Sequence, residues 1–122
     1  MLVLIIGGAY QGKLDFALTL GKYSKNDVSE SCFDKPIVNN LHIIIKQMFE
    51  KGENVAEVIL SSIKEKDKII ICNEIGCGIV PIDKSEREYR ELCGRILCEM
   101  ARNADIVYRV QCGIATKIKG TL

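Results

Sequence analysis

The stretch LVLIIGGAYQGKL, residues 2–14, decides the fold that we expect for this chain. Its first five residues form a continuous apolar run that ends at glycines, which is typical of a strand covered on both faces in a parallel sheet. Apolar residues at helical spacing follow the glycines and predict a helix: Phe16, Ala17, Leu20 and Tyr23. A strand, a glycine-rich turn and a helix in this order are the setting of a phosphate-binding loop.

The glycine-rich loop, residues 7–14, matches the phosphate-loop pattern GxxxxGK[ST] except at its last position. In that pattern backbone N–H groups and the Lys hold the phosphates, and the Ser or Thr hydroxyl ligates Mg²⁺. Leu14 stands at the hydroxyl position, so any Mg²⁺ depends on phosphates, water and another side chain. We predict nucleotide binding by the whole loop: Gly7, Gly8, Ala9, Tyr10, Gln11, Gly12, Lys13 and Leu14. The alternative is a tight strand-to-helix turn with Lys13 exposed.

The composition indicates an ordinary globular protein. The chain has 122 residues, 48% hydrophobic and 27% charged, which fits one domain over residues 1–122. Its 17 Lys and Arg against 16 Asp and Glu provide no strong positive field, so we expect no nucleic-acid partner. The opening apolar run is too short for a secretory or membrane segment, and no later stretch approaches about 18 apolar residues. We therefore expect a cytoplasmic protein without a membrane span.

The six cysteines form no CxxC pair. We expect reduced, mostly buried thiols rather than a disulfide framework, and no metal site. These residues are Cys32, Cys72, Cys77, Cys93, Cys98 and Cys112.

The middle of the chain continues the alternation of strands and helices. Residues 23–35 are polar and predict a loop, and residues 37–49 carry a helical apolar face whose β-branched start also fits a short strand. Asn54 is placed to cap a further helix that extends to Ser62. Residues 69–72 predict a second buried strand.

The last third of the chain predicts one long helix and one strand. The helix begins at Asp83, which can form a capping box with Glu86, and it carries a charged face with Arg87/Glu91 and Glu91/Arg95 at i, i+4 spacing. Residues 105–112 alternate loosely and predict a third strand. Strands that alternate with helices predict an α/β fold in three layers around a mainly parallel sheet.

A second glycine motif, NEIGCGIVP at residues 73–81, directly follows the strand at 69–72. Two glycines separated by one residue allow a backbone turn that side chains would block. Asn73 and Glu74 place polar groups at the carboxyl end of that strand, where open parallel sheets bind ligands.

These stretches, together with EREYRELCGRI at 86–96 and NADIVYRVQCGIATKIKG at 103–120, resemble the bifunctional adenosylcobinamide kinase/adenosylcobinamide-phosphate guanylyltransferase family. The resemblance implies a P-loop NTPase-like transferase fold, truncated relative to the family, that acts in cobalamin (vitamin B12) biosynthesis. It implies ATP or GTP as the nucleotide, adenosylcobinamide as a partner, and a homo-oligomer, since family members form trimers.

The resemblance also assigns site residues. Lys13 and Glu74 match catalytic positions, and later family positions are matched by Arg90, Gly94 and either Lys117 or Lys119. The substrate-side motif is Asn73, Glu74, Gly76, Gly78 and Pro81.

Several departures from the family pattern place catalysis in question. Leu14 replaces the hydroxyl residue, Leu97 and Cys98 replace an Asn-Gln pair, and Asn39 stands where an Asp would help to bind Mg²⁺. A phosphoryl-transfer site relies on charge neutralisation, so these changes weaken catalysis more than binding.

The histidine that accepts GMP in the family has no counterpart in this chain, so we predict that guanylyltransfer is lost. The chain's single histidine, His42, lies in the apolar stretch LHIII, and we expect it to be partly buried or capping. Two hypotheses remain: a cobinamide kinase, or a nucleotide- or phosphate-binding module that regulates or oligomerises without turnover.

Overall fold

The structure is a computed structural model that describes residues 1–63, 67–74 and 83–120. The strands within these ranges are β1 Leu2–Gly7, β2 Val28–Ser29, β3 Ile37–Val38, β4 Lys68–Asn73, β5 Ile106–Gln111 and β6 Ile114–Lys119. The helices are α1 Lys13–Thr19, α2 Leu41–Glu50, α3 Val55–Ile63 and α4 Lys84–Asn103. The strands form one sheet in the order β2-β3-β4-β1-β5-β6, in which β6 is antiparallel to β5 and the other neighbours are parallel.

Helices cover the sheet on both faces. Leu2 and Leu4 of β1 pack into the core cluster that α2, α3 and α4 close, whereas Val3 and Ile5 pack into the cluster on the α1 face. This alternation follows from the period of two in a strand, and it explains why β1 is apolar at every position. The predicted three-layer α/β class with a mainly parallel sheet is confirmed.

The predicted strand-turn-helix unit at the start of the chain is confirmed. β1 pairs in parallel with β4 from Leu2 opposite Lys68 to Gly7 opposite Asn73, and the chain then curls into α1 at Lys13. The third predicted strand is also present as β5, which lies on the other side of β1.

α1 is shorter than its apolar spacing predicted. It ends at Thr19, and Leu20 is its 37% exposed C-cap, so the predicted extension of the helical stripe to Tyr23 is wrong. Glycine disfavours helix at position 21, and its missing side chain makes room for a neighbour. A Cβ on Gly21 would lie 2.7 Å from the Tyr23 ring, which packs against the α1 face of the sheet from the loop.

Two strands and a turn replace parts of the predicted loop and helix between residues 23 and 49. The polar segment contains a 3₁₀ turn at Lys25–Asp27 and then β2, whose pairing with β3 gives it a place in the sheet. The β-branched start at Ile37–Val38 forms the short strand that was the alternative prediction. The helix begins only at Leu41, after Asn40 takes a left-handed conformation with φ 58°.

The ends and surface of the later helices differ in detail from the predictions. Asn54 precedes α3 as expected, and its side-chain amide contacts Glu57 at 2.8 Å. At α4 the Asp83 carboxylate accepts from the Ser85 N–H at 2.8 Å, so the capping box with Glu86 is not formed.

The ion pairs of the described helix α4 also differ from those predicted at Arg87/Glu91 and Glu91/Arg95. The observed i, i+4 pairs are Lys84 with Glu88 and Glu86 with Arg90. Exposed pairs of this kind contribute little, so the exchange has little effect on stability.

The described cysteines are free thiols, but the expectation that most are buried is wrong. Cys72 and Cys93 are buried, whereas Cys32, Cys98 and Cys112 are exposed, and Cys77 lies outside the described residues. No group of three or more His, Cys, Asp or Glu within residues 1–63, 67–74 and 83–120 is placed to hold a metal ion. None of the helices described is long and apolar enough to cross a membrane.

Candidate nucleotide site

A cavity of about 410 Å³ lies where β1, β3 and β4 end at the same edge of the sheet. Open parallel sheets bind ligands at this edge because the loops that follow the strands converge there. The glycine-rich loop lines one side of the cavity, and residues from the other two strand ends and the start of α2 line the rest: Asn39, Asn40, His42, Ile43 and Asn73.

The two outer glycines of the glycine-rich loop are required by its path. A Cβ on Gly7 would lie 2.4 Å from the carbonyl oxygen of Val110 in β5, which no side chain tolerates. Gly12 is the N-cap of α1 with φ 87°, a left-handed conformation that glycine adopts without steric cost. The sequence therefore fixes both the exit from β1 and the entry into α1.

The turn between β5 and β6 holds the centre of the glycine-rich loop. The Cys112 N–H donates to the side-chain oxygen of Gln11, and the Gly113 N–H donates to the Gln11 backbone carbonyl at 3.0 Å. Both residues of this turn have positive φ, 52° and 76°, as in a two-residue hairpin of type I′. Gln11 therefore lines the cavity and also joins the loop to the sheet.

Lys13 is buried at the cavity, with only 7% of its surface exposed. Its ammonium donates a hydrogen bond to the Gly8 carbonyl of the same loop. Burial lowers the pKa of Lys13, and the neighbouring Cys72 and Glu74 oppose that shift. The exposed Lys13 of the alternative prediction is not observed, because the side chain folds inward over the loop, and nucleotide binding by the loop stays a prediction.

Three other residues of the predicted loop, Ala9, Tyr10 and Leu14, lie in different surroundings. Ala9 and Tyr10 are exposed, and Tyr10 is held at φ 58°, which is uncommon for a residue with a Cβ. Leu14 packs against the apolar cluster on the α1 face. The leucine at the hydroxyl position therefore contributes to the core, which is a physical reason for its apolar character.

The described residues that line the cavity offer Mg²⁺ one carboxylate, that of Asp15, in place of the hydroxyl of a phosphate loop. Leu14 offers no oxygen, and Asn39 is a buried amide whose nitrogen donates to Glu30 at 3.1 Å. Asn40 donates to the same Glu30 oxygen at 3.2 Å. Glu30 is not among the residues that line the cavity, and a hard cation prefers carboxylate oxygens, so any Mg²⁺ would depend on Asp15, phosphates and water.

Glu74 is held in an ion pair that the sequence did not predict. Arg109 of β5 contacts both of its oxygens, with Nε to Oε1 at 2.9 Å and Nη2 to Oε2 at 3.0 Å. The Glu74 N–H donates to the Gly7 carbonyl at 2.9 Å, which places this pair beside the glycine-rich loop. In this arrangement the guanidinium binds both carboxylate oxygens of Glu74 at once.

His42 lines the cavity, although sequence reasoning did not assign it to the site. It is half-buried, as expected, and its Nδ1 accepts a hydrogen bond from the Asn73 N–H at 3.2 Å. The Tyr89 hydroxyl donates to the His42 carbonyl at 2.7 Å. Burial lowers the pKa of His42, and the positive charge of Lys13 lowers it further.

The remaining predicted positions lie apart from the cavity or outside the described residues. Gly76, Gly78 and Pro81 of the substrate-side motif fall in the latter group. Lys119 donates to the carbonyls of Ala101 and Arg102, so it caps the last turn of α4.

The later matches on α4 and β6 also lie in described segments. Arg90 pairs with Glu86 on α4, and a Cβ on Gly94 would meet open space. Lys117 lies over the Tyr108 ring, 5.7 Å from its centre.

Comparison with known proteins shows which family this arrangement belongs to. The family model described as cobinamide kinase / cobinamide phosphate guanyltransferase matches residues 32–118. The chain belongs to this family. The matched range includes α2, α4 and the Glu74–Arg109 pair, whereas the glycine-rich loop precedes it, so the role of the loop rests on its geometry.

Two curated relatives agree with this assignment. The bifunctional adenosylcobalamin biosynthesis protein CobU of Salmonella typhimurium is 41% identical over 51 residues, and the protein of the same name from Escherichia coli is 39% identical over 51 residues. Each match covers 42% of this chain and 28% of the relative. Both relatives are named for adenosylcobalamin biosynthesis, and the α/β fold of this chain is the P-loop NTPase-like type expected for the family.

Proposed function

We propose that this chain is a nucleotide-binding, cobinamide kinase-like protein that transfers the γ-phosphoryl group of ATP or GTP to adenosylcobinamide. The observation that supports this most is the burial of Lys13 at a cavity on the ligand-binding edge of the sheet, in a chain of this family. An ammonium group has three donors, and the Gly8 carbonyl takes one, so the others are available to phosphate oxygens.

In the proposed reaction a hydroxyl oxygen of adenosylcobinamide attacks the γ-phosphorus. The new O–P bond forms as the bond to the β–γ bridging oxygen breaks, and the nucleoside diphosphate leaves. Lys13 and the loop N–H groups stabilise the negative charge on the phosphate oxygens, since phosphoryl transfer is promoted mainly by positioning and electrostatics.

Glu74 is the proposed organiser of the acceptor hydroxyl and takes its proton. Its ion pair with Arg109 holds the carboxylate beside the loop, and rotation of the guanidinium would free both carboxylate oxygens for the acceptor hydroxyl. Arg109 is then available to contact a phosphate oxygen, a geometry for which guanidinium groups are suited.

We propose that guanylyltransfer is absent, because the family's GMP-accepting histidine has no counterpart. The test is incubation with radiolabelled GTP. Stable label on the wild-type chain that is lost in His42→Ala would contradict this proposal.

The second candidate is a module that binds a nucleotide without turnover. Half-buried Leu14 offers no oxygen, and Asp15 is the one carboxylate among the described residues that line the cavity; both facts favour this candidate, since a kinase normally offers Mg²⁺ more oxygen ligands. Such a protein retains the Lys13 contact and lacks the charge neutralisation that the transition state requires.

One experiment separates the two candidates. Purified protein is incubated with adenosylcobinamide and γ-labelled ATP or GTP, and label in the cobinamide product is measured against time. Lys13→Ala is the active-site variant, and Lys22→Ala is its matched control because Lys22 is exposed.

A kinase gives label in the product with wild type and the Lys22 variant and none with Lys13→Ala. A binding module gives no product with any of them, although nucleotide still binds to wild type. Product formation at the wild-type rate by Lys13→Ala would contradict both candidates.

Homo-oligomerisation, with the trimer of the family as the expected state, belongs to the same proposal. Light scattering coupled to size exclusion measures it directly. A monomer at all concentrations would contradict it.

A further inference from the structure

His42 is the chain's single histidine, and it lies at the second residue of α2. It lines the same cavity as Lys13, Asn39 and Asn73. Three packed elements therefore surround it: α1 through Lys13, β4 through Asn73, and α4 through the Tyr89 hydroxyl on its carbonyl.

The hydrogen bonds of His42 fix its tautomer. Nδ1 accepts from the Asn73 N–H, so its lone pair is in use and the ring proton lies on Nε2. Protonation of Nδ1 would set two N–H groups against each other and leave the Asn73 N–H without its acceptor.

The groups that face His42 also favour the neutral ring. Lys13 carries a positive charge, and both the Asn73 backbone and the Tyr89 hydroxyl are neutral. A neutral imidazole offers a donor through Nε2 without adding a second positive charge beside Lys13.

We propose that His42 is a phosphate-binding residue that donates its neutral Nε2–H to a terminal phosphate oxygen of the nucleotide held by Lys13. This inference rests on the proposed nucleotide binding, and it supplies a protein donor to phosphate in a loop whose Leu14 offers no metal ligand. The ligand class is the nucleoside triphosphate of the proposed function, and Lys13 and His42 line the cavity from two different helices.

Nitrogen NMR of the imidazole tests the proposal directly, since tag-free protein has one histidine and its signals need no assignment. We expect one protonated and one unprotonated nitrogen at about neutral pH, because burial and Lys13 lower the pKa of His42. Saturating ATP should shift the protonated nitrogen and leave the other unprotonated. An imidazolium at neutral pH, or an unchanged Nε2 signal under saturation verified by calorimetry, would contradict the proposal.

Variants separate a donor role from a merely structural one. His42→Gln retains an amide donor and should keep most of the ATP affinity, whereas His42→Phe should lose about tenfold, the effect of one hydrogen bond to a charged group. Lys13→Ala should raise the pKa of His42, because the positive charge that lowers it is gone. Circular dichroism verifies that each variant is folded.

The outcomes distinguish this inference from the function on which it rests. If wild type binds no ATP, the proposed function fails and this inference fails with it. If wild type binds ATP through Lys13 and His42→Phe binds equally well, only the role of His42 is refuted. An equal loss in His42→Gln and His42→Phe, with both folded, would also refute it.

Discussion

Gly7→Ala is the substitution whose effect the structure predicts most sharply. The new Cβ would lie 2.4 Å from the Val110 carbonyl oxygen, well inside the 3.0 Å that real Cβ atoms respect. Val110 cannot simply retreat, because β5 is paired with β1 on one side and with β6 on the other. Overpacking of this kind costs typically about 1 to 3 kcal/mol, and we expect the free energy of unfolding to fall by that amount.

Urea unfolding followed by circular dichroism measures the change, since the chain has no tryptophan to report by fluorescence. Gly8→Ala is the matched control: its Cβ would meet only the flexible Gln11 side chain at 3.6 Å, an ordinary contact. We expect the control to lie within about 0.5 kcal/mol of wild type with an unchanged m-value. Equal midpoints for the two variants would refute the close approach of the loop to β5.

Three further substitutions test other parts of the site. Leu14→Ser restores the hydroxyl and should make ATP affinity more responsive to Mg²⁺. It should also lower the free energy of unfolding, because Leu14 packs on the α1 face. Titration with and without Mg²⁺ and urea unfolding measure the two effects, and no change in either would be the contrary result. Glu74→Gln removes one partner of the ion pair with Arg109, and it should abolish phosphoryl transfer while ATP binding is kept or strengthened. Parallel turnover and binding assays test both results, and undiminished turnover would contradict the role of Glu74. Cys112→Asn should raise the thermal midpoint by a few degrees, because Asn-Gly suits the type I′ turn completed by Gly113, and a lower midpoint would contradict the turn assignment.

The elements that the sequence predicts well are those whose burial is uniform along their length. β1 and β4 are continuous apolar runs because helices cover both faces of the sheet, and α4 carries a stripe that is buried on one side only. β6 was not predicted, since its two isoleucines, Ile114 and Ile118, are 70% and 56% exposed on an edge strand. Apolar residues that face solvent on an edge strand do not indicate a buried core, so the spacing of these isoleucines did not predict β6.

The residues of the candidate site also differ in how well the sequence predicts them. Lys13 is readable because the glycine spacing of a phosphate loop is local in sequence, and the structure places its side chain over that loop. Arg109 and His42 join the site through contacts 35 and 31 residues away along the chain, with Glu74 and Asn73, and neither has a local signal. Arg109 is distinguished only by its position, as a polar residue opposite Ile6 in a parallel strand pair.

The most direct test of the account is an ATP titration by calorimetry on wild type and Lys13→Ala, each with and without Mg²⁺. The account predicts that wild type binds with little dependence on Mg²⁺, and that Lys13→Ala binds about tenfold to a hundredfold more weakly, since a charge-assisted contact contributes roughly 1.5 to 3 kcal/mol. It would be contradicted by a wild type that binds no nucleotide under either condition, or by a Lys13→Ala variant that binds as tightly as wild type.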